Sequence, residues 1–567
     1  MGWTARVRGA LRQRQSRFAG GGVPDAPGRR PCRRILVGVA VQRARILRTE
    51  PAGRQQHQQS HRCAGGRWFG HRALWRGPRG QAQLPLRDGW LELLAAHVPA
   101  SPGGFGRTLE RAPRGGAALV TEAGTDLRAL AARAYVYGFP LVFNLEQVRR
   151  YVETGIGANP AAPFNSFSHA RTVAGPDDRF VTINNDTVYS MAQLDLSAGP
   201  LILDVPDTSG RYYVLQFVSA WTENFAYVGK RSTGTTAGRY LLVGPNSAAE
   251  DSDKPYDNVI HLPTDVASIV GRWAVDGPED LATVHRLQDS TTLTPIGDGQ
   301  PVAGIPHVRD DGADDALQFW EKYRRYSQAF APPTRDRPVQ DGFAALGLTG
   351  TTAVADLDPE VQAALRDGYA AGAETLAGVL RGGHVDSVNG WQITLHSFDY
   401  NLDHFEVGAL DDPRWKQTDA TERLISRAAA ALGGLWGNNG YEAAYFAIYV
   451  DDGGQQLTGE HRYEVTFDPT PPNDAFWSLT MYDVPDYYLV ANAIDRYSVG
   501  DRTAGLRVGP GGSVTVSISH DPPDDAAQRA NWLPSPAGPF RPVLRVYLPG
   551  ESIIDQTYPL PPMRRID

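Results

Sequence analysis

Apolar and polar residues alternate with a period of two in one stretch near the C-terminus, residues 475–502. Two sets of side chains fall on opposite faces of the strand predicted there, namely Trp477, Leu479 and Met481 against Phe476, Ser478, Thr480 and Tyr482. This alternation is typical of a strand with one buried, apolar face and a mostly polar second face. Hydrogen-bonding side chains follow the strand closely, which predicts either a site or a corner that ties two sheets together.

The same pattern predicts two β-rich regions separated by helices. After a helix that Thr125 or Asp126 caps and that runs to about Val152, strands are predicted at 180–183, 187–196, 201–205, 211–221 and 240–243. Helices are predicted from Pro278 onward, at 315–330 and at 359–380, and a further helix begins near Asp419 and runs to about Leu432. The strands that follow it, at 443–450, 463–467, 476–482, 514–519 and 543–548, suit a jelly roll or a similar double sheet.

The fold class expected from these elements is mainly β with a helical subdomain. We expect an N-terminal helix plus β sandwich over residues 116–275, a helical subdomain over 276–415, and a jelly-roll sandwich over 416–567. Two separate all-β cores are therefore predicted, bridged by helices.

Charge divides the 567-residue chain unevenly, although its net charge is only −7. Residues 1–115 contain 22 Arg, no Lys and five acidic residues, together with both cysteines, Cys32 and Cys63. One interpretation is a basic disordered arm that binds nucleic acid. The favoured interpretation is translated non-coding sequence ahead of a start near Val120, because GC-rich codons supply Arg whether or not a charge is needed.

The remaining body is acidic and free of cysteine, which argues against nucleic acid as its partner and against disulfides. No secretory signal stands at the N-terminus, and no apolar run approaches the roughly 20 residues of a membrane span. We therefore expect a cytoplasmic protein without a membrane span. Its oligomeric state stays open at this stage.

Two pairs of motifs carry a resemblance to known families. The runs FVTINNDTVYSMAQLDLSAGPLILDVPD and RYYVLQFVSAWTENFAYVG resemble the family called domain of unknown function 1254. The runs DAFWSLTMYD, NAIDRYSVGDR, ANWLPSPAGPF and LRVYLP resemble its partner family, domain of unknown function 1214. The resemblance implies an immunoglobulin-like sandwich, a helical subdomain and a C-terminal jelly roll, and it implies no established activity. Members of these families are often secreted or periplasmic.

Candidate ligand-binding or catalytic residues lie in three motif-like stretches. The first stretch contains Asn185, Asp186 and Tyr189, where the Asp could act as a base or fix a turn, the turn being favoured. The second contains Tyr482, Asp483, Arg496, Tyr497, Asp501 and Arg502. An internal Asp–Arg network is favoured there over an arginine that holds an acidic ligand. The third contains Asn531 and Trp532, where the Trp could stack on a flat ligand but is favoured as a plug of the sandwich.

Metal, cofactor and nucleophile chemistry find little support in the sequence. The donor residues His396, Asp399, Asp403 and His404 have no compact metal-site spacing, so no metal is predicted. No nucleophile elbow, HExxH helix or phosphate-binding loop occurs, and no cofactor is predicted.

The sequence therefore leaves two candidate functions. The favoured one is a protein that binds a small polar or acidic ligand near the junction of its domains. The alternative is a hydrolase or lyase acting on a small organic acid, ester or sugar, with Asp186 or Asp483 as the base and Arg496 or Arg502 holding the anion.

Overall fold

A computed structural model describes residues 126–178, 182–247, 255–297, 301–309, 314–382 and 386–567. The basic extension predicted at residues 1–115 lies outside the described residues, and so does most of the strand predicted at 180–183, of which residues 182–183 are not in a strand.

The N-terminal part consists of one long helix followed by a sandwich. Helix α1 (Leu127–Glu153) begins after Asp126, whose carboxylate accepts the N–H groups of Arg128 and Ala129, as the capping pattern predicts. The elements that follow are β1 (Phe167–His169), β2 (Thr187–Asp195), β3 (Leu201–Val205), β4 (Tyr213–Ser219), β5 (Asn224–Gly229), β6 (Gly238–Val243), β7 (Asn258–His261), β8 (Val266–Ala274), α2 (Leu281–Ser290) and β9 (Thr292–Pro295).

Two sheets of this part face each other. The first has the strand order β1-β2-β8-β4-β5 and is antiparallel throughout. The second has the order β7-β6-β3-β9, with β6 and β7 parallel. Fully buried side chains from both sheets, such as Leu203, Phe217, Leu242 and Trp273, form one core. Strand β9 lies inside the predicted helical subdomain but completes this second sheet.

The helices pack against one another and against the N-terminal sheet. They are α3 (Asp315–Ala329), α4 (Arg337–Asp341), α5 (Pro359–Gly382) and, after strands β10 (Ser387–Val388) and β11 (Trp391–Ile393), α6 (Ala420–Gly434). Their core joins Tyr135 of α1, Trp320 of α3, Leu365 of α5 and Ala428 of α6. The helical part thus draws on α1 and α6, which lie outside residues 276–415. Helix α6 starts at Asp419, whose carboxylate accepts the N–H of Glu422.

The C-terminal part is a second sandwich. Its further elements are β12 (Ala443–Ile448), β13 (Tyr463–Phe467), β14 (Asn473–Asp483), β15 (Ser498–Gly500), β16 (Val514–Ser519), α7 (Ala526–Ala530), β17 (Trp532–Pro534), β18 (Phe540–Pro549), α8 (Glu551–Ile554) and β19 (Arg564–Arg565). One sheet has the order β10-β11-β12-β18-β14-β15 and the other β17-β16-β13-β19. Among the described strands, no sheet contains strands of both sandwiches, so the predicted mainly β fold with two separate sheet cores is confirmed.

Strand β14 differs from its sequence pattern in one respect. Its expected apolar face is buried, but the more polar face is buried as well, since Ser478, Thr480 and Tyr482 are at most 3% exposed. The N-terminal sandwich covers this second face, because the turn ahead of β2 docks on it through hydrogen bonds. Within the described part of the chain, no helix has the length and apolar character needed to cross a bilayer.

Candidate functional site

A cavity of about 280 Å³ lies where the two sandwiches meet helix α6. Its walls include Tyr189 and Arg272 from the N-terminal sheet and Tyr445, Arg541 and Arg545 from the C-terminal sheet. The cavity therefore belongs to the junction of the domains, where the sequence predicted a ligand site.

One wall of the cavity is formed by helix α6. The helix contributes Ile425, Ser426, Ala429, Ala430, Gly433 and Gly434, and Leu435 and Trp436 follow it. The alanines and glycines near its C-terminal end leave space that leucine or phenylalanine would fill, so this composition accounts for part of the cavity on that side. Gly437 must also stay small, because a Cβ there would lie 2.1 Å from the ring of Phe398.

Arg541 forms the polar corner of the cavity. Strand β18 carries this side chain, which is 9% exposed. Its Nη1 donates to the Tyr449 hydroxyl at 3.0 Å and its Nη2 to Thr182 Oγ1 at 2.7 Å, while the guanidinium lies 4.2 Å from the centre of the Tyr487 ring. The buried Nε has no hydrogen-bond partner among the described residues, and no described carboxylate lies within 4.0 Å. Arg541 is therefore a buried guanidinium without a counter-ion in the described part of the chain.

Two further arginines lie deeper in the wall. Arg545 donates to Thr480 Oγ1 at 3.0 Å and to the carbonyl of Thr182 at 2.8 Å. Arg272 donates to Gln216 Oε1 at 2.8 Å and to the carbonyl of Trp436 at 2.7 Å. The hydrogen-bond acceptors of both guanidinium groups are thus neutral.

Electrostatics keep these two arginines charged. Burial opposes the charge of Arg545, but neighbouring Tyr482, Tyr547 and Asp186 outweigh burial and raise the pKa of Arg545 above its ordinary value. The pKa of Arg272 is likewise raised, because nearby tyrosines such as Tyr189 outweigh the effect of burial. Both cations add positive potential to the cavity.

Three residues of the cavity wall have a strained backbone conformation. Thr182, Trp436 and Tyr487 have φ values of 55°, 65° and 59°, a region that residues other than glycine rarely adopt. The N–H of Thr182 donates to the carbonyl of Tyr487 at 3.1 Å, so two of the strained residues hold each other. Such strain is typical of functional sites, where the surrounding structure enforces it.

The first predicted stretch lies at the domain junction. Asp186 is 5% exposed, and its Oδ2 accepts the hydroxyls of Ser478 at 2.7 Å and Tyr547 at 3.2 Å. The Asn185 amide donates to the carbonyl of Ala174 at 2.6 Å. Both residues thus tie the turn to its neighbours, whereas Tyr189 lines the cavity.

The end of β14 also contributes to this junction. The Tyr482 hydroxyl donates to the carbonyl of Ile183 at 2.6 Å. Arg502 donates to the carbonyl of Asp186 at 2.9 Å, and its guanidinium lies 3.5 Å from the centre of the Phe476 ring. Tyr482 and Arg502 therefore connect the two sandwiches without lining the cavity.

The Asp–Arg network expected in the second stretch does not form. Asp483 accepts the N–H of Tyr488 at 2.7 Å. Arg496 donates to backbone carbonyls at the end of α7, among them that of Ala530 at 3.1 Å. The nearest carboxylate to Arg502 is that of Asp276, outside the stretch, at 3.5 Å. Backbone carbonyls took the place of the expected acids because the return loop runs beside α7 and the N-terminal sandwich.

The remaining residues of the second stretch lie away from the cavity. The Tyr497 hydroxyl donates to Asp495 at 3.0 Å. The Asp501 carboxylate accepts the backbone N–H of Trp477 at 3.2 Å. Burial raises the pKa of Asp501 to about 6, although the Trp477 N–H and Arg502 act against this shift.

The third stretch has a structural arrangement. Asn531 donates to the carbonyls of Arg507 and Thr515 at 2.8 and 2.9 Å. The indole N–H of Trp532 donates to the carbonyl of Ser519 at 3.0 Å, and the side chain is 5% exposed. This geometry suits the plug favoured for Trp532.

The four residues with metal-ligand chemistry, His396, Asp399, Asp403 and His404, do not share one site. His396 Nδ1 lies 2.7 Å from Asp399, Asp403 pairs with Arg335 at 2.5 Å, and His404 Nε2 lies 2.7 Å from a backbone carbonyl. Among the residues that the structure describes, no group of three or more His, Cys, Asp or Glu is arranged to hold a metal ion.

The arginines of the cavity were missed at the level of the sequence, although a signal was present. Arg541 and Arg545 interrupt the apolar strand FRPVLRVYLP, and Arg272 interrupts VASIVGRWA. A charged residue within a fully buried strand needs a polar partner or a function.

Comparison with known proteins identifies both domains. Residues 164–295 match the family model described as protein of unknown function (DUF1254), and residues 442–551 match the model for protein of unknown function (DUF1214). The predicted resemblance and the order of the two domains are thereby confirmed. No curated protein matches the chain.

Two solved structures are similar to this chain. The VPA0106 protein from Vibrio parahaemolyticus is 23% identical, with a TM-score of 0.58, over 78% of this chain and 100% of that chain. An uncharacterized protein from Burkholderia cenocepacia is 13% identical, with a TM-score of 0.36, over 78% of this chain and 94% of that chain. The first likeness concerns the fold alone, and the second is too weak to carry an argument.

Proposed function

We propose that this chain, in which a DUF1254 domain precedes a DUF1214 domain, binds a small organic acid in the cavity between them. The carboxylate lies against Arg541, and the apolar part of the ligand lies along helix α6. The observation that carries the proposal is the buried guanidinium of Arg541, which lines the cavity and has no counter-ion within 4.0 Å among the described residues.

The charge of the cavity supports an anionic ligand. Its lining contains three arginines, and the acidic residue among the described lining is Asp178, whose Oδ2 accepts the N–H of Gly175 at 2.8 Å. A buried charge without a partner is costly, and a ligand carboxylate removes that cost at Arg541. Guanidinium also has the planar fork that carboxylates match.

The size of the cavity sets the scale of the ligand. Its volume of about 280 Å³ is close to the lower end of the roughly 300–1,000 Å³ range of small-molecule pockets. Together with the Ala and Gly wall of α6, this favours a compact acid with an apolar body.

The hydrolase or lyase alternative gains no support from this geometry. Asp186 and Asp483, the residues considered as a base, do not belong to the cavity lining. Asp186 is occupied by two hydroxyl donors, and Arg496 is occupied by backbone carbonyls. Binding by Arg541 needs none of these residues.

Isothermal titration calorimetry on the full chain tests the proposal with two pairs of probes: octanoate against octanamide, and phenylacetate against phenylacetamide. We expect the acids to bind and the neutral amides to bind far more weakly. Arg541→Met should weaken binding of the acids by about 10- to 150-fold, since a hydrogen bond to a charged group contributes roughly 1.5–3 kcal/mol.

Arg496→Met is the matched control, because it removes an arginine that bonds only carbonyls outside the cavity. This variant should bind the acids as the unmodified chain does. Failure of both acids to bind, or equal binding by the Arg541→Met variant, would overturn the proposed function.

A further inference from the structure

The cavity floor is formed by two neighbouring strands with a regular pattern. Strands β12 and β18 are antiparallel, with Tyr445 opposite Arg545 and Ala447 opposite Val543. Side chains on one face of a strand recur every second residue. Strand β12 and the residue after it present Tyr445, Ala447 and Tyr449 to the cavity, and strand β18 presents Arg541, Val543 and Arg545. The floor is therefore polar at both ends and apolar between them.

The two polar ends lie at opposite sides of the floor. Tyr445 and Tyr449 are four positions apart along an extended chain, and so are Arg541 and Arg545. At about 3.3 Å per position, the Cα atoms of each pair are about 13 Å apart. Arg541 and Tyr449 form the near end, which holds the carboxylate in the proposed function. Tyr445 and Arg545 form the far end.

Hydroxyl groups at both ends have a proton to donate. The Tyr449 hydroxyl accepts from Arg541, the Tyr445 hydroxyl accepts from the Asn438 amide at 3.1 Å, and the Tyr189 hydroxyl accepts from Asn184 at 2.6 Å. A tyrosine hydroxyl carries one proton besides its acceptor sites. No acceptor for these three protons lies within hydrogen-bond distance among the described residues, and all three tyrosines line the cavity.

The far end is also electropositive. Arg545 and Arg272 are 2% and 6% exposed, and their hydrogen bonds go to neutral oxygens. Tyr445 and Tyr189 therefore offer O–H donors beside two buried cations. An oxygen acceptor fits this end, and a negatively charged one fits best.

We infer that the ligand has two oxygen-bearing ends, a carboxylate at Arg541 and a second acid group at Tyr445 and Tyr189, joined by an apolar spacer over Ala447 and Val543. This inference rests on the proposed function and narrows the ligand to medium-length dicarboxylic acids. A short dicarboxylate cannot reach both ends, and a monocarboxylate of equal length leaves the far donors without an acceptor.

Calorimetry with three probes on the full chain tests the inference: octanoate, suberate and succinate. Suberate has the carbon chain of octanoate with a second terminal carboxylate, so the ratio of their affinities isolates the far end. We expect suberate to bind at least about tenfold more tightly than octanoate, and succinate to bind more weakly than suberate.

Tyrosine variants localise the effect. Tyr445→Phe and Tyr189→Phe should each bring the suberate-to-octanoate affinity ratio closer to one, because only suberate has an acceptor for the proton of the lost hydroxyl. Tyr463→Phe is the matched control, because its hydroxyl accepts the N–H of Thr458 within the C-terminal sandwich, outside the cavity. A structural effect of losing a hydroxyl would alter both affinities together.

The outcomes separate the two proposals. If octanoate binds through Arg541 but suberate binds no more tightly, the two-ended ligand is overturned and the proposed function stands. If the ratio is high and neither Tyr445→Phe nor Tyr189→Phe changes it, the assignment of the far end is overturned. If none of the acids binds, the proposed function itself falls.

Discussion

The strongest structural test concerns Asp186, which locks the two sandwiches together. Its carboxylate is 5% exposed and accepts two hydroxyls from the other sandwich, those of Ser478 and Tyr547. Asp186→Ala leaves both buried hydroxyls without their acceptor and removes an anion close to Arg545. We expect the free energy of unfolding to fall by about 3–6 kcal/mol, because each of the two hydrogen bonds to this carboxylate contributes roughly 1.5–3 kcal/mol.

Further variants measure how much the charge of Asp186 and its hydrogen bond to Ser478 each contribute to the loss of stability. Asp186→Asn keeps the volume and one acceptor oxygen, so we expect a smaller loss of about 1–2 kcal/mol. Ser478→Ala should also lose about 1–2 kcal/mol. Because the two residues share one hydrogen bond, the double variant should lose less than the sum, with a coupling of about 1–2 kcal/mol.

Guanidinium denaturation followed by both tryptophan fluorescence and circular dichroism measures these changes. Asp341→Ala is the control, because this aspartate is exposed at the end of α4 and should change stability by less than about 0.5 kcal/mol. A stability of Asp186→Ala within that margin would refute the role of Asp186 as an inter-domain lock and would reopen the catalytic interpretation.

Two further predictions concern buried charge. Asp336 is fully buried and pairs with Arg427 at 3.1 Å, so Asp336→Ala should lower the free energy of unfolding by about 3–5 kcal/mol in the same denaturation assay; a loss below about 1 kcal/mol would contradict this. His169 Nδ1 lies 2.8 Å from Ser190 Oγ, and burial, with nearby Arg171, lowers the pKa of His169 to about 4. The pKa of His169 is lower in the folded chain than in the unfolded chain, so the unfolded chain binds a proton at this imidazole at a higher pH. The free energy of unfolding should therefore fall by about 1–2 kcal/mol as the pH drops from about 6.5 to 4. Denaturation at pH 4.5 and 7.5 should show that His169→Gln loses this part of the acid dependence, and an unchanged dependence would refute it.

The alternation of residues in the sequence predicts nine of the nineteen described strands, because each of these nine buries at least one apolar face. It misses the other ten, among them the fully buried strand β8. It could not predict that both faces of β14 are buried. Ser478 and Thr480 are polar, as on a solvated face, yet each has a buried partner elsewhere, Asp186 for one and Arg545 for the other. Polar side chains that find partners across a domain junction look in a sequence like side chains that face water.

The cavity lies at the junction of the domains, where the sequence predicts a ligand site, but few of the predicted site residues line it. The junction of the domains was expected to hold a small acidic ligand, and Tyr189 was among the candidates that line the cavity. The motif-rich loops instead predict Arg496 and Asp483 as site residues. In the structure both side chains form hydrogen bonds with backbone groups. The arginines that face the cavity lie within apolar strands, where their pairing depends on long-range packing.

The cavity has walls from both domains, and Thr182 of the N-terminal part contacts the C-terminal part there. Its carbonyl accepts from Arg545 and its hydroxyl from Arg541, so one residue of the N-terminal part serves two arginines of the C-terminal strand β18. Without that contact both guanidinium groups would lose a neutral acceptor in a buried strand. The positive φ of Thr182 is therefore maintained by contacts from both sides, and the same contacts hold the Arg541 guanidinium at the cavity wall. On this geometry, docking of the two domains also positions the guanidinium of Arg541 at which we propose that a ligand carboxylate binds.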